Sequence, residues 1–383
     1  MRGSHWAVLG VLTWLWVGPS SAISPAPEID CERHHCTAIV DAGSSGSRIH
    51  LYSYDLDEQA NPIRINNVYS KKVKPGLASI PDDQISIDAY FSQLLQDFPK
   101  QSIPMYLYAT AGMRLLPEDS QNQYYTDIKQ WFSAHPQWSL VEARTISGQE
   151  EGIYGWLSLN YYLQTLQDVS KPLVGLLEVG GASAQIAFPL DETQGIDARD
   201  RTEVTVYGRH ITLFSHSFLG LGANEVFAHS QDLPVCFPQG YPLKEGVLAE
   251  GNAAQCQTKL GPLLQQEYHV NAVTQPALQQ TPIAEWYTVS SVSVMASQSP
   301  FVFSDQTFTA QTLLQQADMQ YCQQTYQHLL ESDLDKDYIA KNCLLASYFS
   351  GLLLSGFGFS PEQSIHYLPE YDGNWAVGVL FIQ

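Results

Sequence analysis

Two glycine-rich turns of matching pattern hold the residues of this chain whose types and spacing could do chemistry. The first reads IVDAGSSGSRIHLY (residues 39–52), and the second reads LLEVGGASAQIAF (residues 176–188). When the two are aligned, Asp41 falls on Glu178, an offset of 178 − 41 = 137 residues. Each acid is the last polar residue of a hydrophobic strand that leads into the turn. This duplication predicts two related lobes that grip one ligand between them.

A turn built from glycine and serine exposes successive backbone N–H groups, free of bulky side chains, and these form a concave site for an anion. Two such turns facing each other would hold a polyphosphate from both sides. A bound polyphosphate needs a divalent cation, and hard cations take oxygen ligands, often through retained water. The sequence therefore predicts that Asp41 and Glu178 hold a metal ion through water.

Length and charge limit the classes of function. At 383 residues the chain exceeds the usual size of a single hydrophobic core, so two domains are expected. The formal charge of −20 argues against nucleic acid or an anionic membrane as the main partner, because clustered Lys and Arg bind both. Positive charge for an anionic substrate must therefore be local, and Arg48 is one source of it.

The N-terminus has the features of a secretory signal. Arg2 and His5 precede an apolar run over residues 6–17, and small residues follow up to Ala22. Residues 1–22 are therefore predicted to be a cleaved signal peptide of a secreted or periplasmic protein. No stable membrane anchor is expected, because the apolar run is short for a membrane span. A retained N-terminal anchor or an expression tag is the alternative.

The six cysteines of an exported chain suggest three disulfides. Free buried thiols are the alternative, and zinc is disfavoured because neither a CxxC pair nor zinc-finger spacing occurs. The chain has no Asn-x-Ser/Thr glycosylation site, which favours bacterial export. Local pairing predicts Cys31 with Cys36, Cys236 with Cys256, and Cys322 with Cys343.

The hydrophobic pattern alternates strands with helices, which predicts an α/β fold. The second glycine turn is predicted to join two strands of a hairpin. Further predicted strands cover residues 37–40, 49–54, 105–110, 140–146 and 202–214. Predicted helices cover residues 85–97, 122–132, 148–163, 313–330 and 338–354. Residues 233–301, rich in Gln, Pro and Gly, are expected to form loops, and residues 374–381 a final strand or short helix.

Five segments in this order resemble the apyrase, or nucleoside triphosphate diphosphohydrolase, family, which shares the two-lobed actin-like (ribonuclease H-like) fold. They are the two turns, LYATAGMR (107–114), ISGQEEGIYGWLSLNY (146–161) and NWAVGVLF (374–381). The features are most similar to the soluble, secreted bacterial branch. The resemblance implies an active site in the cleft between two lobes, with lobe I at residues 31–162 plus 372–383 and lobe II at residues 163–371.

The resemblance also implies what the enzyme does. It would remove the terminal phosphate of nucleoside tri- and diphosphates with Ca2+ or Mg2+ as cofactor, as a monomer. An exopolyphosphatase and a non-catalytic nucleotide-binding module are the alternatives, while the export signal disfavours a sugar kinase. The phosphate cradles would be Ser44, Ser45, Gly46, Ser47, Arg48, Gly180, Gly181 and Ala182.

The catalytic residues implied by the resemblance surround one water molecule. Glu151, the second glutamate of ISGQEEG, would be its general base, and Glu150 beside it would be structural. Ser183 and Gln185 would hold the same water. Thr110 would contact the terminal phosphate and the metal's water shell, unless its hydroxyl only bonds its own backbone. Catalysis would rest on positioning and charge stabilisation, without a covalent phosphoenzyme.

Five further positions have expectations of their own. Glu178 departs from the family's usual Asp by one methylene, which could shift the cation. Ala184 replaces a common Thr, but strand alternation should point it away from the ligand. Tyr348 best matches the aromatic residue that stacks on the nucleobase, and stacking tolerates every base, so weak base selectivity is expected. Phe349 should lie in the core, and Trp375 should pack against the cleft.

Overall fold

The computed structural model describes residues 30–336, 338–371 and 373–382. The expected signal peptide, residues 1–22, lies outside the described residues. Within the described part of the chain, no helix combines the length and the apolar character needed to cross a membrane.

The first sheet has five strands in the order β3-β2-β1-β4-β5. Strands β1, β2 and β3 form an antiparallel meander, whereas β4 and β5 run parallel to β1. Alternating buried residues on these strands pack against the helices of the same lobe. The strands are β1 (His35–Gly43), β2 (Gly46–Leu56), β3 (Pro62–Val73), β4 (Pro104–Ala109) and β5 (Ser139–Thr145).

The second sheet repeats this plan. Its strands are β6 (Gly175–Val179), β7 (Ser183–Pro189), β8 (Arg201–Val206), β9 (Arg209–Leu219), β10 (Trp286–Val289), β11 (Thr307–Phe308) and β12 (Ile365–Tyr367). The order is β11-β12-β10-β6-β7-β9-β8. Strands β6, β7 and β9 form the antiparallel meander, and β10 and β12 run parallel to β6. The five central strands thus match the first sheet in order and direction, and β8 and β11 extend the edges.

The helices cover the two sheets. They are α1 (Gln84–Leu94), α2 (Ala111–Arg114), α3 (Glu118–Ala134), α4 (Gly148–Tyr162), α5 (Ala223–His229), α6 (Ala253–Pro262), α7 (Val270–Leu278), α8 (Ser290–Ser297), α9 (Ala310–Ala317), α10 (Tyr326–Glu331), α11 (Asn342–Gly351) and α12 (Ala376–Val379). One π-helical turn continues each of α6, α9 and α11.

Helix α4 joins the two halves of the molecule. It begins at Gly148 because the Ser147 hydroxyl accepts the N–H of Glu150, whose carboxylate accepts the N–H of Ser147 in return. A Cβ on Gly148 would lie 2.3 Å from the Cβ of Ser217, and one on Gly152 would lie 2.4 Å from the Oγ of Ser215. Because these glycines lack side chains, the helix lies directly on strand β9.

Two predictions about elements are wrong. Residues 202–214 are not one strand: Tyr207 and Gly208 have positive φ and turn the chain back, so β8 and β9 form a hairpin. The region 233–301 is not mainly loops, because it contains α6, α7, α8 and the central strand β10. Its helices bury sparse apolar residues between glutamines, which hid the helical pattern.

Other predictions are confirmed. Both hairpins form at the glycine turns, and the last segment takes the short-helix alternative, α12. The helix expected over residues 313–330 is confirmed only in part, because the chain is not helical between residue 322 and the start of α10. All three disulfides pair as predicted: Cys31–Cys36, Cys236–Cys256 and Cys322–Cys343.

Candidate active site

The two glycine turns meet at a cavity of about 230 Å³ between the sheets. Several predicted site residues line it together with residues that the sequence did not single out. The predicted ones are Asp41, Ser44, Ser45, Gly46, Arg48, Thr110, Glu151, Glu178, Gly180 and Gly181. The cavity is therefore common to both lobes.

The first turn is held tightly from behind. Gly43 pairs with Gly46 across the β1–β2 hairpin, which leaves Ser44 and Ser45 at the tip. A Cβ on Gly76 would lie 2.3 Å from the carbonyl oxygen of Ser44. Such backbone approach is possible only for glycine, and it fixes the orientation of the tip toward the cavity.

A row of three charged residues, one acidic and two basic, crosses the first sheet beside this turn. Asp41 lies opposite Arg48 in the register of β1 and β2, and Arg48 lies opposite Lys72 in the register of β2 and β3. All three residues line the cavity. Burial and the nearby Arg48 guanidinium lower the pKa of Lys72. This row supplies the local positive charge that an acidic chain needs to hold an anion.

The second turn touches the first. A Cβ on Gly181 would lie 2.2 Å from the Oγ of Ser44. A Cβ on Gly222 would lie 2.3 Å from the backbone nitrogen of Ala182, so the loop before α5 supports the turn from behind. The two turns therefore close the cavity from opposite sides.

Glu151 sits in the first turn of α4 and is 7 % exposed. The Nη2 of Arg114 donates to its Oε2 at 2.7 Å and to the Oγ of Ser183 at 3.2 Å. The Nε2 of Gln185 donates to the same Oε2 at 3.1 Å. The structure thus brings together Glu151, Ser183 and Gln185 and adds Arg114 to them.

Gln185 has a free acceptor. Its Nε2 lies within hydrogen-bond distance of Glu151, Ser183 and Ser217, whereas its Oε1 is buried without a partner among the described residues. Glu150 is turned away, bonded to Arg144 at 2.7 Å and to the N–H of Ser147. The two adjacent glutamates therefore have different surroundings, as expected.

Three acids face this cavity, of which Glu151 and Glu178 are buried and Asp41 is half-buried, and their pKa values reflect these surroundings. Burial, followed by the charge of Glu151, raises the pKa of Asp41 to about 7. Burial, again followed by the charge of Glu151, raises the pKa of Glu178 to about 8. Burial also raises the pKa of Glu151, while Arg114 opposes the rise. The positive charge near these three carboxyl groups is therefore too small for all of them to be ionised at the same time.

A divalent cation would supply the positive charge that these acids lack. The Oε2 of Glu178 is buried and has no hydrogen-bond partner in the described residues. Within residues 30–336, 338–371 and 373–382, no group of three or more His, Cys, Asp or Glu side chains could enclose a metal ion. A cation between Asp41 and Glu178 would therefore keep part of its water shell, as Mg2+ commonly does.

Thr110 lies at the cavity, whereas Ala184 does not line it. Thr110 lines the cavity at the N-terminus of α2, and its hydroxyl makes no capping bond there. Ala184 is fully buried in the core of the second lobe. Trp375 also lines the cavity, on the segment that leads into α12.

Three predicted site residues lie elsewhere. Tyr348 is 1 % exposed, and its hydroxyl donates to the carbonyl of Leu221 at 2.7 Å, so its ring cannot stack on a base. The Oγ of Ser47 accepts from the hydroxyl of Tyr90 instead of facing phosphate. Ala182 is buried behind the second turn. Phe349 is a core residue, as expected.

A second cavity of about 660 Å³ adjoins the first, and the two share Ser45, Lys72, Gly181 and Ser291. Its wall contains the aromatic residues Phe227, Tyr241, Tyr326 and Tyr338 and the lysines Lys72, Lys74, Lys336 and Lys341. The aromatic residues that line this cavity thus lie outside helix α11.

Sequence reasoning missed Arg114, Lys72 and Ser290. Arg114 ends the LYATAGMR motif, and an arginine so placed was a usable signal. Lys72 is on strand β3, whose mixed composition hid its pairing with β2. Ser290 lies in the region that was expected to form loops.

Residues 28–236, more than half of the chain, match the model of the GDA1/CD39 (nucleoside phosphatase) family. The chain belongs to this family. The prediction of a hydrolase that releases phosphate from nucleotides is therefore confirmed. The alternative of a non-catalytic nucleotide-binding module is not supported.

Two curated relatives show how far the similarity extends. Ectonucleoside triphosphate diphosphohydrolase 3 of Homo sapiens is 25% identical over 417 residues, covering 89% of this chain and 77% of the relative. Golgi apyrase of Schizosaccharomyces pombe is 33% identical over 219 residues, covering 49% of this chain and 38% of its own length.

Two solved structures support the fold. Nucleoside triphosphate hydrolases from Neospora caninum align with a TM-score of 0.57 and 14% identity over 91% of this chain and 92% of that one. A Ppx/GppA family member from Aquifex aeolicus aligns with a TM-score of 0.53 and 12% identity, over 91% of this chain and 97% of that one. The predicted two-lobed, actin-like α/β fold is confirmed.

Proposed function

We propose that this protein removes the terminal phosphate of nucleoside tri- and diphosphates by attack of a water that Glu151 activates. The observation that carries the proposal is the position of Glu151, held by Arg114 and Gln185 in the cleft between two phosphate-cradling turns. Relatives named apyrase and ectonucleoside triphosphate diphosphohydrolase favour nucleotides as substrates.

The proton moves to Glu151. Water loses a proton to the carboxylate while its oxygen bonds to the terminal phosphorus, and the bridging P–O bond breaks to release a nucleoside di- or monophosphate. The hydroxyl of Ser183 and the free Oε1 of Gln185 would orient the water. Arg114 favours the ionised form of Glu151, which a base requires.

The phosphates would lie between the turns. Backbone N–H groups of Ser44, Ser45, Gly46 and Gly181 would contact their oxygens, with Arg48 and Lys72 adding charge. The N–H of Gly180, which also lines the cavity, instead donates to the carbonyl of Ser183 at 2.9 Å. Asp41 and Glu178 would hold Ca2+ or Mg2+, which when bound would neutralise charge on the phosphates. The nucleoside would occupy the adjoining cavity, where aromatic rings are available for stacking.

An exopolyphosphatase is the second candidate. The lysines Lys72, Lys74, Lys336 and Lys341 around the adjoining cavity would suit a longer phosphate chain. Lys336 is partly engaged, since its ammonium group donates to the carbonyls of Leu330 and Ser332. The aromatic rings of the same cavity favour a nucleoside there.

Export and oligomeric state belong to the same proposal. The N-terminal leader and the three disulfides support a secreted or periplasmic protein of bacterial type, and a monomer is expected. Mass spectrometry of the protein from the medium or periplasm of its host would test cleavage after Ala22.

Replacement of two adjacent glutamates tests the role of the base. Glu151→Gln should lower kcat for ATP by roughly 100- to 10,000-fold, because the amide cannot accept the proton. Glu150→Gln should stay near wild type, since its side chain serves the helix cap and Arg144. Equal loss in both variants, or none in Glu151→Gln, would contradict the assignment.

A further inference from the structure

Ser290 contacts the acid that departs from the family pattern. Its Oγ donates a hydrogen bond to the Oε1 of Glu178 at 2.7 Å. Ser290 follows strand β10, in which Val289 lies opposite Glu178 of strand β6. The other carboxylate oxygen, Oε2, has no hydrogen-bond partner among the described residues. One oxygen of Glu178 is therefore fixed, and the other is left for a ligand.

The backbone of Ser290 is strained. Its φ is 58°, in the left-handed region that a non-glycine residue rarely adopts. Gly373, itself at φ 66°, packs on it so closely that a Cβ there would lie 3.0 Å from the nitrogen of Ser290. Strain of this kind persists only where the surroundings enforce it, and it is concentrated at functional sites.

Gly155 makes room for the longer side chain of Glu178. A Cβ on Gly155 would lie 3.4 Å from the Oε2 of Glu178 and 2.9 Å from the Cδ2 of Leu176. Strand β6 pairs with both of its neighbours without a bulge. The extra methylene is therefore accommodated by the surrounding side chains and by helix α4, and the strand keeps its register.

We propose that Ser290 is a positioning residue that fixes Oε1 of Glu178, so that Oε2 faces a divalent cation or its water despite the longer arm. The inference rests on the proposed function, because it takes this cavity to hold a cation. Ser290 acts on the cation through Glu178.

The test separates positioning from folding. Ser290→Gly removes the hydroxyl and relaxes the backbone, so thermal stability of the metal-free protein should change little. Calorimetric titration of Mn2+, in the presence of a non-hydrolysable ADP analogue, should show binding weakened by roughly 10- to 100-fold. Ser297→Ala removes a hydroxyl from the same helix, where it bonds the carbonyl of Ser293, and should leave Mn2+ affinity unchanged.

A double-mutant cycle with Glu178→Asp tests the link between the two residues. The shorter arm should not reach Ser290, so Ser290→Gly should cause no further loss of Mn2+ affinity in the Glu178→Asp background. Additive losses would overturn the inference, as would unchanged Mn2+ affinity in Ser290→Gly when wild type binds Mn2+ and hydrolyses ATP. Absence of both activities in wild type would overturn the proposed function as well.

Discussion

The three carboxylates around this small cavity have different electrostatic surroundings. Glu151 has the Arg114 guanidinium at 2.7 Å, and Asp41 lies opposite Arg48 in the sheet. Among the described residues, the hydroxyl of Ser290 is the only hydrogen-bond partner of the Glu178 carboxylate. Proton affinity should therefore be lowest where the guanidinium is closest. This difference separates a base that must be ionised from acids that need a cation to ionise.

The Arg114–Glu151 pair gives a prediction about pH. Burial raises the pKa of Glu151 and Arg114 limits that rise, so Arg114→Gln should raise the pKa further and move the acidic limb of the kcat/KM profile to higher pH. The profile should be measured at saturating Mg2+. Arg144→Gln is the control, because Arg144 pairs with Glu150 instead. A limb that moves equally in both variants would contradict the assignment.

Glu178 gives a prediction about stability without metal. Its pKa rises from 4.5 to about 8 in the folded protein, so its contribution to stability is present below pH 4.5 and is lost as pH rises through about 8. Glu178→Gln cannot ionise. In EDTA, the Tm of this variant relative to that of wild type should therefore increase from pH 5 to pH 8, and Ca2+ should reverse the increase. A pH-independent difference in Tm would count against the raised pKa.

At the level of residues, the sequence predicted site residues that lie within a recognisable motif. It did not predict residues that reach the site only through contacts between distant parts of the chain. Asp41, Glu151 and Glu178 were identified because each lies in a recognisable turn or helix start. Ser290 could not be found, because its role depends on a strand 112 residues away in sequence. Tyr348 was misplaced because helical spacing does not tell which face of a buried helix meets the cleft.

Helix α4 and helix α12 meet through a glycine. A Cβ on Gly378 would lie 2.0 Å from the carbonyl oxygen of Tyr154. This contact attaches the C-terminal segment to the helix that carries Glu151, and the same segment carries Trp375 into the cavity. Close packing between these two elements therefore positions parts of the site.

Gly378→Ala tests this contact. The methyl group should force the helices apart and lower the free energy of unfolding by about 1–3 kcal/mol. Gly261→Ala on α6 is the matched change, and it should raise stability by about 0.5–1 kcal/mol. Apart from its chain neighbours and the backbone of its own helix, no heavy atom of the described residues lies within 4 Å of the added Cβ. Denaturant unfolding would measure both. Equal stability of the two variants would show that the helices are not in close contact.

Elements were predictable where hydrophobic spacing was regular. The β1–β2 and β6–β7 hairpins and the helices α1, α3 and α4 were anticipated because strand alternation or helical spacing was clear in each. Strand β10 was missed because its four residues are flanked by polar and proline-rich sequence. Helices α6 and α7 contain Pro262 and Pro276, which usually argue against a helix interior.

The whole molecule is a duplication that places one binding turn on each side of a cavity. Five central strands in each sheet share order and direction, and the turns that follow β1 and β6 come into contact at Ser44 and Gly181. The chain carries a charge of −20, yet Arg48, Lys72 and Arg114 gather at this cleft. Local charge and a cation, not net charge, would therefore hold the substrate.

The central claim is tested by the products that the purified protein releases. With Mg2+ or Ca2+, it should release phosphate from ATP and from ADP, leave AMP intact, and release none in EDTA. Long-chain polyphosphate should be a poor substrate in the same assay. Rapid phosphate release from polyphosphate with none from ATP or ADP would contradict the account, as would full activity towards nucleotides in EDTA.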